Sequence, residues 1–164
     1  MKFISAMIIA MVSVSVFAEE VPIIGNVESK CVITTDTAGV YGNPTPSNLS
    51  TDPTDGGVVP IVRYDVSMAE YYKALIKWPD EFSQSPELND TLAFSGEVTV
   101  DRVSTTAMSD YETEKVEYEN STEYELTESG STWFKIDSEV DYGFVKAFPG
   151  GTYRSLVTAE CIAQ

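Results

Sequence analysis

Cys31 and Cys161 are the only cysteines in the chain, and each stands in a run whose side chains alternate in character. Around the first, Val27, Ser29, Cys31 and Ile33 alternate with Glu28, Lys30, Val32 and Thr34. Around the second, Tyr153, Ser155, Val157, Ala159 and Cys161 alternate with Thr152, Arg154, Leu156, Thr158 and Glu160. A period of two sends one set of side chains toward a core and the other toward water, so both cysteines fall on the drier face of a β-strand. In an exported chain two cysteines most simply make one disulfide, which here would tie the first strand to the last and pin an end that would otherwise fray. The other reading, two free thiols forming a redox or metal pair, meets neither a CxxC spacing nor a single histidine.

Export is read from the opening residues. "MKFISAMIIAMVSVSVFA" sets Lys2 before an apolar run and closes on Val16-Phe17-Ala18, as a secretory signal does. As a membrane span the run is short, and Glu19 and Glu20 follow it where a positive stop would stand. The expectation is a signal peptide at 1–18 and one domain at 19–164, with no membrane span after cleavage and a secreted, periplasmic or cell-surface location. With 26 acidic against 10 basic residues the formal charge is −16, which repels phosphate backbones and anionic lipid surfaces; nucleic acid is not an expected partner. A hydrophobic content of 43% is too high for disorder, so the acidity reads as a solvated outer face.

Between the cysteines the turn formers "GNPTPSNLSTDPTDGG", "SQSPELND", "ENSTE", "ESGS" and "FPGG" separate runs rich in Val, Ile, Tyr, Phe and Thr. Strands are expected near 27–35, 58–67, 71–78, 91–101, 113–119, 123–128, 132–138, 142–147 and 152–162. That pattern specifies an all-β fold: an immunoglobulin-like antiparallel β-sandwich closed by one disulfide, with room for one short helix. The segment "DVSMAEYYKALIKWPDEF" reads two ways. Ser67 to Glu70 resembles a helix capping box, yet as a strand the segment turns Tyr72, Ala74, Ile76 and Trp78 inward and Lys73 and Lys77 outward. The strand agrees better with its neighbours.

Chemistry is harder to find. Without histidine there is no Ser-His-Asp or Cys-His machinery, and no phosphate loop or zinc spacing occurs. The chain is not expected to be an enzyme; a carboxylate-based hydrolase, needing two acids about 5 to 9 Å apart, is the remote alternative. No cofactor is expected, although Asp52 and Asp55 in "STDPTDGG" offer hard oxygen ligands for calcium if the segment is more than a surface turn. The segment from Gly42 to Gly57 is the best candidate for a binding loop, against a plain surface loop. Tyr64, Tyr71 and Tyr72 are the one cluster that would suit a carbohydrate platform. Glu117, Glu119, Glu123 and Glu125 alternate along a hairpin, as solvated decoration or as a docking face for a basic partner. Asn48, Asn89 and Asn120 begin glycosylation sequons.

"IIGNVESKCVI" and "PGGTYRSLVTAECIA" resemble the two ends of bacterial fimbrial subunits and of spore-coat-protein-U-like secreted domains. Gly151, fourteenth from the end, also stands where fimbrial subunits often place a glycine. The resemblance covers the chain ends only. It implies an incomplete sandwich finished by a strand from a neighbouring subunit, with Val21, Ile23 and Gly25 as the donor residues. The function expected is therefore a structural or adhesive surface domain, partnered by itself as a homopolymer or by a surface protein or glycan. A monomeric carbohydrate- or protein-binding module is the alternative.

Overall fold

The computed structural model describes Pro22, Ile24, residues 31–143 and residues 145–164. The expected signal peptide and the donor candidates Val21, Ile23 and Gly25 lie outside the described residues. In chain order the elements are β1 (Cys31–Thr37), β2 (Gly42–Thr45), β3 (Asn48–Ser50), β4 (Ile61–Val66), β5 (Tyr72–Lys77), β6 (Ala93–Val103), α1 (Tyr111–Glu114), β7 (Val116–Glu117), β8 (Ser121–Leu126), β9 (Gly130–Asp141) and β10 (Thr158–Ala163). All pairings are antiparallel.

β9 organises the larger sheet. Its twelve residues are twice the length of β4, which pairs with Gly130–Lys135 and leaves the rest of that edge bare. β3 fills the gap against Glu139–Asp141, and β6 runs along the opposite edge. The path is β1-β4-β9-β3-β2, with β6 also on β9; the second sheet runs β10-β5-β8-β7. The immunoglobulin-like sandwich expected from the alternation is the fold. Boundaries differ in four places. The segment 42–57 is a hairpin followed by a 3-10 turn at Pro53–Asp55, recruited because β9 outruns β4. The strand expected at 132–138 runs over Gly130–Asp141, the described residues of 142–147 form no strand, the first half of 113–119 is the helical turn α1, and the strand expected at 152–162 begins only at Thr158. The ambiguous segment is the strand β5, with Tyr72, Ala74 and Ile76 buried and Lys73 and Lys77 outward.

The core lies between the sheets, with Val62, Tyr64, Phe134, Ile136 and Val98 facing Ala74, Ile76, Tyr124 and Leu126. Each such side chain stabilises the fold by roughly 1.5–3 kcal/mol when fully buried. Phe134 is gripped edge-on by Tyr64 at 5.4 Å and more obliquely by Tyr124 at 4.5 Å. The two tyrosines reach across in opposite directions. Tyr64 donates its hydroxyl to the Glu160 carbonyl on β10 (3.2 Å), and Tyr124 donates to the Val98 carbonyl on β6 (2.8 Å). On the outer face of the larger sheet the Arg102 guanidinium lies 4.5 Å over the Trp133 ring, whose Nε1 donates to Asp36 on β1 (3.2 Å).

The covalent tie is Cys31–Cys161, joining β1 in one sheet to β10 in the other over a separation of 130 residues. On the chain-entropy account a loop of that size is worth about 5 kcal/mol as an upper figure. Replacing both cysteines by serine should lower unfolding free energy in urea by about 2–5 kcal/mol, and reductant should then have no further effect. A change below about 1 kcal/mol would show that the bond does not restrain the unfolded chain. A second outcome concerns pH. Burial pushes the Tyr64 and Tyr124 phenols above their ordinary value. Groups raised in the folded state contribute stability that is complete below the unfolded value of about 10 and lost as pH rises through the folded one. Urea midpoints should therefore hold steady to about pH 9 and fall above about pH 10, with tyrosinate absorbance appearing only as the chain unfolds. Tyr124→Phe should flatten part of that fall.

Candidate functional site

Strand edges are liabilities unless covered, and this fold covers some and leaves others. Along β6, Glu112 from α1 accepts from the Val100 N–H (2.7 Å), and Lys115 donates to the Val98 carbonyl (3.2 Å). β8 is covered at its start by β7. β1 and β10 receive no such cover. β1 pairs only with β4 and β10 only with β5, so the outer edge of each faces no strand among the described residues. Alternate residues on such an edge present free N–H and C=O groups. Val32 and Ile162 stand exposed on these two strands.

From the disulfide the two strands lead into a groove of about 830 Å³ between the sheets. Leu49, Val62 and Ser138 contribute to its floor; Thr35 and Thr37 to Val40 form one wall, and Phe148 to Gly151 with Tyr153 to Val157 the other. The second wall is irregular chain, yet it is firmly placed. Tyr41 holds it, its hydroxyl lying 2.9 Å from the Ser138 hydroxyl on β9 and 3.0 Å from that of Ser155 in the wall. Arg154 exchanges backbone hydrogen bonds with Gln84, its N–H donating at 2.8 Å and its carbonyl accepting at 3.2 Å. Phe82 packs on Phe94 (5.0 Å) and Tyr153 (5.2 Å), while Phe148 packs on Tyr142 and Tyr153, each at 5.2 Å. Gly151 is a glycine because a Cβ there would meet Pro86 Cγ at 2.5 Å.

Electrostatically the groove is quiet. Arg154 is the one charged residue among the described residues that line it, and no aspartate or glutamate does so. Burial pushes the Tyr153 phenol above its ordinary value, and its hydroxyl donates to the Pro149 carbonyl at 2.6 Å. An apolar slot beside unpaired strand edges suits an extended segment: the backbone pairs with an edge while alternate side chains enter the slot.

The residues singled out from sequence are scattered by the fold. Tyr64 is wholly buried and Tyr72 nearly so, which corrects the expectation of a row of exposed aromatics; Tyr71 alone of the three is exposed. Their alternation placed them on inward faces of β4 and β5, where aromatic surface is worth more inside than out. Asp52 caps the 3-10 turn, accepting from the N–H and hydroxyl of Thr54, both at 2.7 Å, and these bonds, the hydroxyl's first, hold its carboxyl below the ordinary value. Asp52 and Asp55 thus stand at the two ends of a self-capped turn, and among the described residues no group of three or more acids or cysteines is placed to hold a metal ion. Asn48 is buried, with its amide donating to Glu139 (2.6 Å) and Asp141 (3.0 Å), which closes that sequon to a glycan. Of Gly42–Gly57, Asn43, Leu49 and Thr51 reach the groove. The aromatic brace was invisible in sequence because its members come from six separate places and share no period.

No helix among the described residues is long and apolar enough to cross a membrane. Comparison with family models, curated proteins and solved structures returns no match. Tyr41→Phe should cost about 0.5–1.5 kcal/mol of stability and, more tellingly, speed amide exchange at Ser155 to Val157 while leaving β9 protected. Unchanged exchange there would mean that the tyrosine does not hold the wall.

Proposed function

We propose that this chain is a structural or adhesive domain of an exported surface, assembling with further copies of itself by strand addition. The observation that supports this most is the presence of two bare edges, β1 and β10, beside an apolar groove lined by Thr35 and Thr37 of β1 and by the chain leading into β10, whereas α1 and β7 cover parts of β6 and β8. The occupant is the segment Glu19–Ser29 of a neighbouring copy, in which Val21, Ile23 and Val27 recur at the period a strand presents to one face. Gly25 falls in the same series. The resemblance of the chain ends to fimbrial subunits agrees with this reading. A secretory opening and a disulfide support assembly outside the reducing cytoplasm, in the periplasm, at the cell surface or beyond it.

One observation favours a second reading. Tyr41, Phe148, Tyr153 and Arg154 line the same groove and would suit a sugar ring or a peptide in a monomeric binding module.

The discriminating experiment is a denaturing gel of mature protein from its native host, without reductant, run heated and unheated. A ladder that collapses to monomer only on heating is expected, and Ile23→Asp should abolish it without altering the circular dichroism of the monomer. A single monomer band in both lanes would overturn self-assembly and turn attention to a ligand in the groove.

A further inference from the structure

On the opposite side of the sandwich, where β6 faces the turn between β7 and β8, a second cleft of about 240 Å³ is lined by Trp78, Gly96, Glu97, Glu117, Tyr118 and Thr122. We infer that this cleft receives the primary ammonium of a lysine side chain presented by a basic partner protein.

Three features of the cleft converge on that chemistry. The first is its floor. Thr122 stands in phase with Tyr124 and Leu126 on the inward face of β8 and is 1% exposed, yet its hydroxyl finds no hydrogen-bond partner among the described residues. A buried hydroxyl left unbonded is costly, so a donor entering the cleft gains more from it than from water. The second is its aromatic lining. The indole of Trp78 lies against Gly96, where a Cβ would meet its Cγ at 2.6 Å, and its backbone N–H donates to the Asn120 carbonyl (3.1 Å). Tyr118, exposed, is held in the same turn by its N–H on the Ser121 carbonyl (2.8 Å). Aromatic faces attract a cation and shelter the methylene stem behind it.

The third feature is charge at the rim. Glu97 and Glu117 line the cleft, and Lys115 is shared among Glu97 (3.4 Å), Glu112 (2.8 Å) and Glu117 (2.9 Å). Three carboxylates thus face one ammonium, and the surplus is negative. Glu123 and Glu125 on the outer face of β8 share Lys73 at 2.9 and 2.7 Å, two carboxylates to one ammonium, so the surplus of negative charge is larger at the cleft end. An ammonium carries three donors in a compact tetrahedron, which suits one hydroxyl at depth and two carboxylates above it; a planar guanidinium needs paired acceptors in one plane. The overall charge of −16 draws basic partners toward this face.

The inference is independent of strand exchange, because the cleft lies away from β1 and β10. Its test is an NMR titration of the mature protein with a capped glycine-flanked lysine peptide, read at the Trp78 indole N–H and the Thr122 amide, with arginine and norleucine peptides and a neutral monosaccharide as comparators. Saturable shifts with lysine are expected, weaker with arginine and absent with norleucine, and fading as salt is raised. Thr122→Val removes the unbonded hydroxyl without changing shape. It should raise the melting temperature by about 2–4 °C while weakening lysine binding by about tenfold or more. Glu117→Gln, on the surface, should weaken binding several-fold and blunt its salt dependence even if the valine variant folds poorly. No saturable shift, an equal response to norleucine or to the sugar, or binding indifferent to both substitutions would overturn the proposal.

Discussion

The bond between Cys31 and Cys161 joins two strands that each have a bare edge, and it joins them at one end only. β1 and β10 belong to different sheets, so nothing in the hydrogen-bond ladders holds them together; the disulfide does, helped by the Tyr64 hydroxyl on the Glu160 carbonyl next to Cys161. Beyond that clasp the strands lead to walls that stand apart, with Val62 and Leu49 left at the bottom of the gap. Further along, the Tyr41 hydroxyl on Ser138 and Ser155 links the walls, and without the covalent clasp the final strand would be freer to fray. The single bond at the end of a long opening is what makes this side both ordered and accessible.

The distribution of charge follows from the same geometry. Most of the described cations are committed: Lys73 and Lys115 bind two and three carboxylates, Lys135 binds Asp101, Lys146 binds Asp90, and Arg63 binds Asp65. These are largely exposed pairs and add little to stability singly. Their effect is to leave acidic surface almost everywhere except the groove, whose lining includes no acid. Copies of a chain at −16 repel one another, and that repulsion must be overcome wherever they meet. An uncharged slot between free backbone edges is where it is least and where apolar burial and main-chain hydrogen bonds are available to offset it. Self-association through any other face would bring carboxylates together.

How much of this could be read from the residues alone divides along physical lines. Alternation is local, and it located β1, β4, β5, most of β8 and β9 and the cysteine end of β10, although 152–157 alternates too and is irregular chain. It also turned Tyr72, Ala74 and Ile76 inward against a competing helical reading. Partnership is not local. Nothing in "GNPTPSNLS" announces a hairpin, since its pairing exists only because β9 is longer than β4 and offers an edge to be filled. The same holds for the groove, whose lining residues Tyr41, Ser138 and Ser155 are brought within hydrogen-bond distance from three distant parts of the chain. Tyr64 illustrates the opposite hazard. Its period was read correctly, but an aromatic on a period-two strand falls on the core face or the wet face according to register with a partner the sequence does not name.

The two clefts occupy opposite edges of the sandwich and differ in kind because the edges beside them differ. At β6 the bulge near Asp101 and the charges of α1 seal the backbone, with Glu112 on Val100 and Lys115 on Val98, so only side chains remain to recognise anything: two aromatics, two carboxylates and one buried hydroxyl. At β1 and β10 the backbone itself is available and the side chains are nearly neutral. A sealed edge can select a partner by the chemistry of one side chain, whereas an open edge selects by shape and period over several residues and tolerates variation between them. The strand addition and the lysine contact proposed above use opposite sides of the sandwich, so neither competes for the atoms of the other.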